Sequence, residues 1–290
     1  MTERFREYCG RKEAAALRAT IPGYATVCRQ IPGGLAAIGS AWSQTLFDGP
    51  FYRSAGSRVD GVPSISLVFV QSRSGNTVAA NPSVLGGGET DLHLIYEGLS
   101  RVDADAVLAG AGTARGKEIV FSVWHPELVA LRLARGRSRH PAQVIVTDRG
   151  ELRFDDGLIF HEPELRVFVV TRTGIAAAVR DRIGRKPWIE VIDAGEPLSL
   201  TYAMRVLKHH AIDVVSAVGG RLTASALLKE GLVSDVYLTT SAIDAGEPNT
   251  PFCIGEPPLM TRVLQKAGRG LESGVTFEHF VIANPQTPDP

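Results

Sequence analysis

Three glycine-bearing segments of this 290-residue chain carry the residue types that build an anion-binding site. Gly219-Gly220-Arg221 follows the apolar run Val214–Val218 and opens Leu222-Thr223-Ala224-Ser225, which reads as the head of a helix. The first N–H groups of a helix lack partners and sit at the positive end of its dipole. Glycines let a phosphate approach that backbone closely. Arg221 adds a forked cation, and Thr223 and Ser225 add hydroxyl donors. The same pattern also suits a tight turn that binds nothing.

A second run, Gly110-Ala111-Gly112-Thr113-Ala114-Arg115-Gly116, follows the apolar Ala106–Ala109. Its third glycine arrives one residue late for a dinucleotide fingerprint, and no convincing helix follows in Lys117–Trp124. A Rossmann phosphate loop is therefore not expected. A flat glycine platform beside a cofactor, with the Thr113 hydroxyl as donor, is the alternative to a plain turn. The third segment joins Gln71-Ser72-Arg73-Ser74-Gly75-Asn76-Thr77 to Leu85-Gly86-Gly87-Gly88-Glu89. It suits either a loop over a ligand or a flexible connection.

Other chemistries are missing. The seven histidines make no H-E-x-x-H spacing, and Cys9, Cys28 and Cys253 form no C-x-x-C pair, so no metal site is expected. No G-x-S-x-G elbow and no P-loop occur. Lys+Arg and Asp+Glu are both 31, which gives no positive field for nucleic acid. Residues 1–20 are charged, and the apolar Ile31–Trp42 falls short of the ~20 residues a membrane span needs. The expectation is a cytoplasmic protein that binds neither nucleic acid nor membrane.

The elements that must position these segments alternate. Strands are expected at Ser64–Val70, Ala106–Ala109, Val144–Val146, Val167–Thr171, Trp188–Ile192, Val214–Val218, Val236–Thr240 and Val275–Ile282. Helices are expected at Glu89–Val102, Ile175–Ile183, Thr201–His209 and Leu222–Glu230. Leu92, Ile95, Tyr96, Leu99 and Val102, for example, share one helical face. Strands alternating with helices indicate an α/β fold, a mostly parallel sheet with helices on both faces. The last strand is expected antiparallel at an edge. Asp103 and Asp105 read as solvated turn residues. Residues 1–62 are punctuated by Pro and Gly, with helical character only in Glu3–Ala19. They read as an extension packing on the main domain or a partner, followed by a domain at 63–283 and a frayed tail at 284–290.

Taken in order, these motifs resemble the reductase domain of the bifunctional deaminase–reductase of riboflavin biosynthesis, which has a dihydrofolate-reductase-like fold. The resemblance rests on Ser72-Arg73-Ser74-Gly75, on Leu99–Leu108 with Gly110-Ala111-Gly112-Thr113, and on Val218–Leu228 with Gly231-Leu232-Val233-Ser234-Asp235. It covers Ser64 to about Ile282. It implies that Gly112, Thr113 and the segment Gly219, Gly220, Arg221, Thr223, Ala224 and Ser225 hold NADPH. It further implies that Arg101 and Ser74 face the substrate, and that the protein is a homodimer. The activity implied is NADPH-dependent reduction of a pyrimidine- or pterin-like heterocycle. A dihydrofolate- or dihydropterin-type reductase, which a buried acid would support, and a non-catalytic NADP(H)-binding protein are the alternatives. Where the family carries acids, this chain has Val218 and Ser74, and no H-x-E with a later P-C-x-x-C deaminase signature occurs in it. No catalytic residue is identifiable at this level.

Overall fold

Runs such as Ala106–Gly110 and Val167–Thr171 are apolar on both faces and therefore need cover on both sides. In the computed structural model, which describes residues 1–79 and 82–283, they are interior strands of a ten-stranded sheet. The strands are β1 (Tyr24–Arg29), β2 (Leu35–Ile38), β3 (Phe51–Ser54), β4 (Ser64–Gln71), β5 (Ala106–Gly110) and β6 (Ala142–Val146). They continue with β7 (Val167–Thr171), β8 (Ile189–Asp193), β9 (Val214–Val218), β10 (Val233–Thr240), β11 (Met260–Gly268) and β12 (Thr276–Ile282). The order is β1-β11-β12-β10-β4-β9-β5-β6-β7-β8, with β2 and β3 forming a separate hairpin sheet. From β10 to β8 all neighbours are parallel, whereas β12, β11 and β1 are antiparallel. This is the α/β class expected, with β12 inside the sheet instead of at its edge.

Helices cover both faces. On one lie α1 (Glu3–Arg18), α2 (Ala41–Phe47), α5 (Thr173–Ile183) and α3, a single α turn at Gly88–Thr90 that continues as a π-helix over Asp91–Arg101. Phe5, Phe47, Leu94, Leu99 and Val179 form their shared core. The other face carries α6 (Leu200–His209) and α7 (Arg221–Lys229), with Met204, Leu207, Ala224 and Leu227 packed on Leu67 and Leu108. The β5–β6 crossover passes through turns at 111–118 and has no helix up to residue 125, as the weak helical pattern there implied, but α4 (Pro126–Ala134) then follows, a helix that was not expected.

Residues 1–62 are more than an extension with one helix. They supply β1, β2, β3 and α2, and β1 extends the main sheet by pairing with β11. Phe47 and Phe51 are fully buried in the protein's own core, so they form no partner surface. Burying each contributes about 1.5–3 kcal/mol. The fully buried Asp235 accepts the Ser54 N–H and O–H and pairs with His279 Nε2 at 2.8 Å, anchoring β3 to the sheet. Asp103 and Asp105 are likewise structural and not solvated. Asp103 is buried and pairs with Arg135, while Asp105 accepts the N–H groups of Asp213 and Val214 at 2.9 Å. The tail at 284–290 lies outside the described residues. No described helix is long and apolar enough to cross a membrane.

Candidate active site

Open parallel sheets bind ligands beyond the carboxyl ends of their strands, where the strand order reverses. Here that point is β9, which returns between β4 and β5 after the chain has run out to β8. Both glycine segments sit there. A Cβ on Gly110, at the end of β5, would fall 2.6 Å from Thr223 Oγ1, and one on Gly219 would fall 3.2 Å from Thr113 Oγ1. Gly219 and Gly220 have φ of +71° and +86°, which side-chain-bearing residues rarely adopt. The two turns thus close on each other only because they lack side chains.

Gly220 caps α7 and offers no side chain to the first N–H groups of the helix, which stay open to an anion. The Thr113 hydroxyl faces this turn, and Gly112 beside it has nothing within 4 Å of a would-be Cβ, leaving a flat backbone surface. This cradle fits the phosphates of a dinucleotide. Thr223 is buried against Gly110, and the Ala224 side chain belongs to the core, so both serve through backbone and packing.

Of the expected donors, Ser225 is engaged elsewhere and Arg221 is engaged through its Nε alone. The Ser225 hydroxyl gives its one proton to Arg221 O at 2.6 Å and accepts the Ile254 N–H at 2.8 Å. It secures the neighbouring loop and has no proton left for a phosphate. Arg221 Nε donates to Pro251 O at 3.0 Å, which spans the helix start to the same loop. The far side of that loop holds the segment containing Ser74. Arg73 pairs with Asp244, and the Thr77 N–H reaches Thr250 O at 2.8 Å. The Ser74 hydroxyl lies 3.0 Å from both Ser72 Oγ and Asn76 Nδ2, inside its own turn.

Arg101 is not brought to the glycine turns. α3 runs back along the sheet from the carboxyl end of β4, so its last residue lies toward the amino end of β5. The guanidinium is buried over the rings of Tyr96 and Phe121, 5.2 and 5.8 Å from their centroids, and donates to Ser122 O at 3.3 Å. Burial lowers its pKa. The two rings and the Ser122 carbonyl hold the cation in the interior, with its Nε left without a partner, and burial closes it off from a substrate phosphate.

Sequence reasoning missed an acid. Asp91, in the first turn of the π-helix, is 3% exposed and accepts a hydrogen bond from the Thr239 hydroxyl near the end of β10. Desolvation is the main cause that pushes its carboxyl pKa up to about 7; the Thr239 bond lowers it, the Glu272 charge raises it and the Arg101 charge lowers it. A Cβ on Gly87 would lie 2.5 Å from Asp91 Oδ2, so the Gly86-Gly87-Gly88 run admits the carboxyl. That glycine run was the available signal. Only β4 separates β9 from β10, which puts the glycine turn and Thr239 two strand spacings apart, about 10 Å. A groove of about 470 Å³, lined by Arg18, Pro22, Gly88, Glu89 and Glu272 among others, opens at the start of this helix, and the Asp91 side chain is not part of its lining. A second pocket of about 350 Å³, around Arg58, Val233 and Leu259, lies at the amino end of β10, the wrong end of the sheet for this chemistry. Among the described residues no cluster of His, Cys, Asp and Glu is arranged to hold a metal.

Comparisons with known proteins agree with this layout. A pyrimidine reductase-like protein from Corynebacterium diphtheriae superposes with a TM-score of 0.65 at 20% identity, covering 76% of this chain and 92% of that one. The riboflavin biosynthesis reductase Rib7 of Saccharomyces cerevisiae gives 0.54 at 15% identity, covering 78% and 92%. The diaminohydroxyphosphoribosylaminopyrimidine deaminase/5-amino-6-(5-phosphoribosylamino)uracil reductase of Thermotoga maritima gives 0.53 at 20% identity, covering 77% of this chain and 57% of that one. At these identities the likeness is one of fold. No curated protein matches the chain. The family described as RibD C-terminal domain matches residues 81–276, which takes in both glycine turns, Asp91 and Thr239 and leaves out β1–β4. This chain belongs to the RibD C-terminal domain family.

Proposed function

We propose that the protein is an NADPH-dependent reductase of a pyrimidine- or pterin-like heterocycle. The observation that carries this is the closure of Gly110–Thr113 on Gly219–Gly220 at the open head of α7. When bound there, NADPH supplies a hydride, two electrons and one hydrogen, to an electron-poor carbon and is left as NADP+. The nitrogen next to that carbon gains an electron pair and needs a proton. Asp91 is placed to give one, because burial raises its carboxyl pKa to about 7, which leaves about half of the molecules protonated at neutral pH. With an opened ribosylamine, the hydride and the proton would turn C1′H=N into C1′H2–NH, and the product is a ribitylamine.

The departures from the family bear on which heterocycle is reduced. Val218 is buried in the apolar layer, and the Ser74 hydroxyl is engaged in its own turn. Losing a charged partner costs about 1.5–3 kcal/mol per contact, so slow turnover of the phosphoribosylamino-pyrimidine is expected. A second reading, dihydropterin-type reduction, is favoured by Asp91 itself, since a ring C=N bond also takes its proton from a buried acid. The homodimer belongs to this reading too, and a monomeric mass in light scattering at micromolar concentration overturns that part.

The test is fluorescence titration with NADPH and NADH, followed by NADPH oxidation assays with 5-amino-6-(5-phosphoribosylamino)uracil and with dihydropterins. NADPH should bind more tightly than NADH, and one of the two substrate classes should turn over. Tight NADPH binding with no oxidation by either class would leave a cofactor-binding protein without catalysis. No binding of either nucleotide would remove the proposal altogether.

A further inference from the structure

Three features around Asp91 have no part in the reading so far: the Tyr24 hydroxyl, the Glu272 carboxylate, and the N-terminal segment that delivers Tyr24. Tyr24 is fully buried, its ring 5.9 Å from that of Phe47 and 6.0 Å from that of Phe277. A phenylalanine would satisfy that packing. Yet the position carries a buried hydroxyl that makes no well-formed hydrogen bond, its polar neighbour being Thr239, whose own hydroxyl donates to Asp91, and a buried group so poorly satisfied is costly and rare. Glu272, in the turn between β11 and β12, accepts the Thr90 N–H through Oε1 at 3.1 Å, while its Oε2 is buried without a partner.

Both groups belong to segments that bond Thr90, the residue before Asp91, and these segments meet at Gly23. The Gly23 N–H reaches Thr90 Oγ1 at 3.4 Å, and Gly23 O accepts the Arg269 N–H at 3.0 Å. The chain leading into β1, the turn before β12 and the start of α3 therefore meet at a single junction. A Cβ on Gly88 would strike the Glu272 carboxylate, so this closure again depends on the glycine run.

We propose that Tyr24 and Glu272 are positioning residues for Asp91, so that the proton-donating site is complete only with the N-terminal segment docked. The proposal rests on Asp91 being the donor, as read above. The groups that act on Asp91 are Glu272 by its charge, the Thr239 hydroxyl from β10 by a hydrogen bond, the Tyr24 phenol from β1 and Tyr96 nearby, and Arg101 by its charge from the far end of the same helix. The Glu272 charge favours the protonated carboxyl, whereas Arg101 and the Thr239 bond favour the ionised one. The Tyr24 O–H lies beside the Thr239 hydroxyl that donates to Asp91, so the phenol supports the ionised carboxylate through that hydroxyl.

The experiment follows the protonated-carboxyl C=O stretch against pH by difference infrared spectroscopy on the full chain, the band being assigned by its loss in Asp91→Asn. Glu272→Gln should lower the midpoint by about one pH unit, and Glu272→Asp should restore most of it. Tyr24→Phe, which keeps the ring packing, should raise the midpoint by about half a unit. A wild-type midpoint in the ordinary carboxylate range, or midpoints unmoved in both Glu272→Gln and Tyr24→Phe, overturns the proposal. NADPH turnover measured beside it separates the two readings. Shifted midpoints without turnover of any heterocycle remove Asp91 as a donor, while the coupling of the three groups stands. Turnover with unmoved midpoints defeats this proposal alone.

Discussion

On the glycine side of the sheet edge, the groups named come from two short segments, Gly110–Thr113 and Gly219–Thr223. On the acid side, Asp91, Thr239, Glu272 and Tyr24 come from four elements spread from β1 to the turn before β12. The first arrangement needs no side chain at its key positions, only backbone conformations that glycine permits, so it is compact in sequence. The second needs a charge removed from water, and a charge can be buried only by bringing together parts of the chain that are far apart. An anion cradle can thus be local, while a perturbed acid must be assembled by the tertiary fold.

The largest expected effect tests that division directly. Asp91→Asn keeps the shape and removes the proton, so kcat should fall about 10²–10⁴-fold, the usual contribution of a general acid. NADPH affinity should stay within about twofold, because the cradle is elsewhere. A variant with full kcat would show that the acid side does no proton chemistry. Weakened cofactor binding would show that the two sides are one site. Next in size, Arg101→Ala should destabilise the fold by about 2–4 kcal/mol, since it strips a buried side chain from Tyr96, Phe121 and Ser122 O. Urea unfolding measures this. Unchanged stability with a KM raised tenfold or more would return Arg101 to the substrate and make the structural assignment wrong.

How far each side could be read from sequence follows from the same contrast. Val167–Thr171 and Val214–Val218 stand in the structure with the bounds expected, because buried parallel strands are continuous apolar runs. The cradle was visible for a related reason, since glycines between a strand and a helix have few other uses. β11 escaped notice because Arg262, Gln265 and Lys266 interrupt its apolar pattern and its register shifts between Arg262 and Leu264. β1 lay hidden between Pro22 and Pro32 with much of its surface exposed. Asp91 resembles any acid in the first turn of a helix, where it is normally solvated. Only the pairing with Thr239, 148 residues away, shows that it is buried. Arg101 erred in the other direction: a cation near a motif invites a ligand role, but the aromatic neighbours that hold it are set by the turns of the π-helix and by the β5–β6 crossover.

On the glycine side a smaller effect is expected from Arg221→Ala. Removing a charged donor beside the helix start should weaken NADPH binding by about 1.5–3 kcal/mol. The folded state should survive, because Arg221 is half-exposed and its tie to Pro251 O is a single hydrogen bond. Isothermal titration and a melting curve on the same sample decide the matter. A lower melting temperature with unchanged affinity would mean that the arginine serves the 250s loop and not the ligand.

The smallest effect is a slope, and it tests whether Asp91 is as isolated from water as its surroundings imply. Its carboxyl is raised from 3.8 to about 7 in the folded chain, so between those values the native state holds a proton that the unfolded state has released. Stability rises with pH only where the unfolded state binds more protons, and here the native state binds more. The contribution of Asp91 is therefore fully present at low pH and is lost as pH rises from about 4 through 7. The slope for one group cannot exceed about 1.4 kcal/mol per pH unit. Other groups titrate in this range, so the measurement is a difference: urea unfolding of wild type and Asp91→Asn at pH 5, 6, 7 and 8. The wild type should lose stability relative to the variant at each step up to pH 7, then run parallel to it. Parallel curves throughout would mean that Asp91 is ionised at neutral pH, and the acid side would then be an electrostatic anchor with no proton to give.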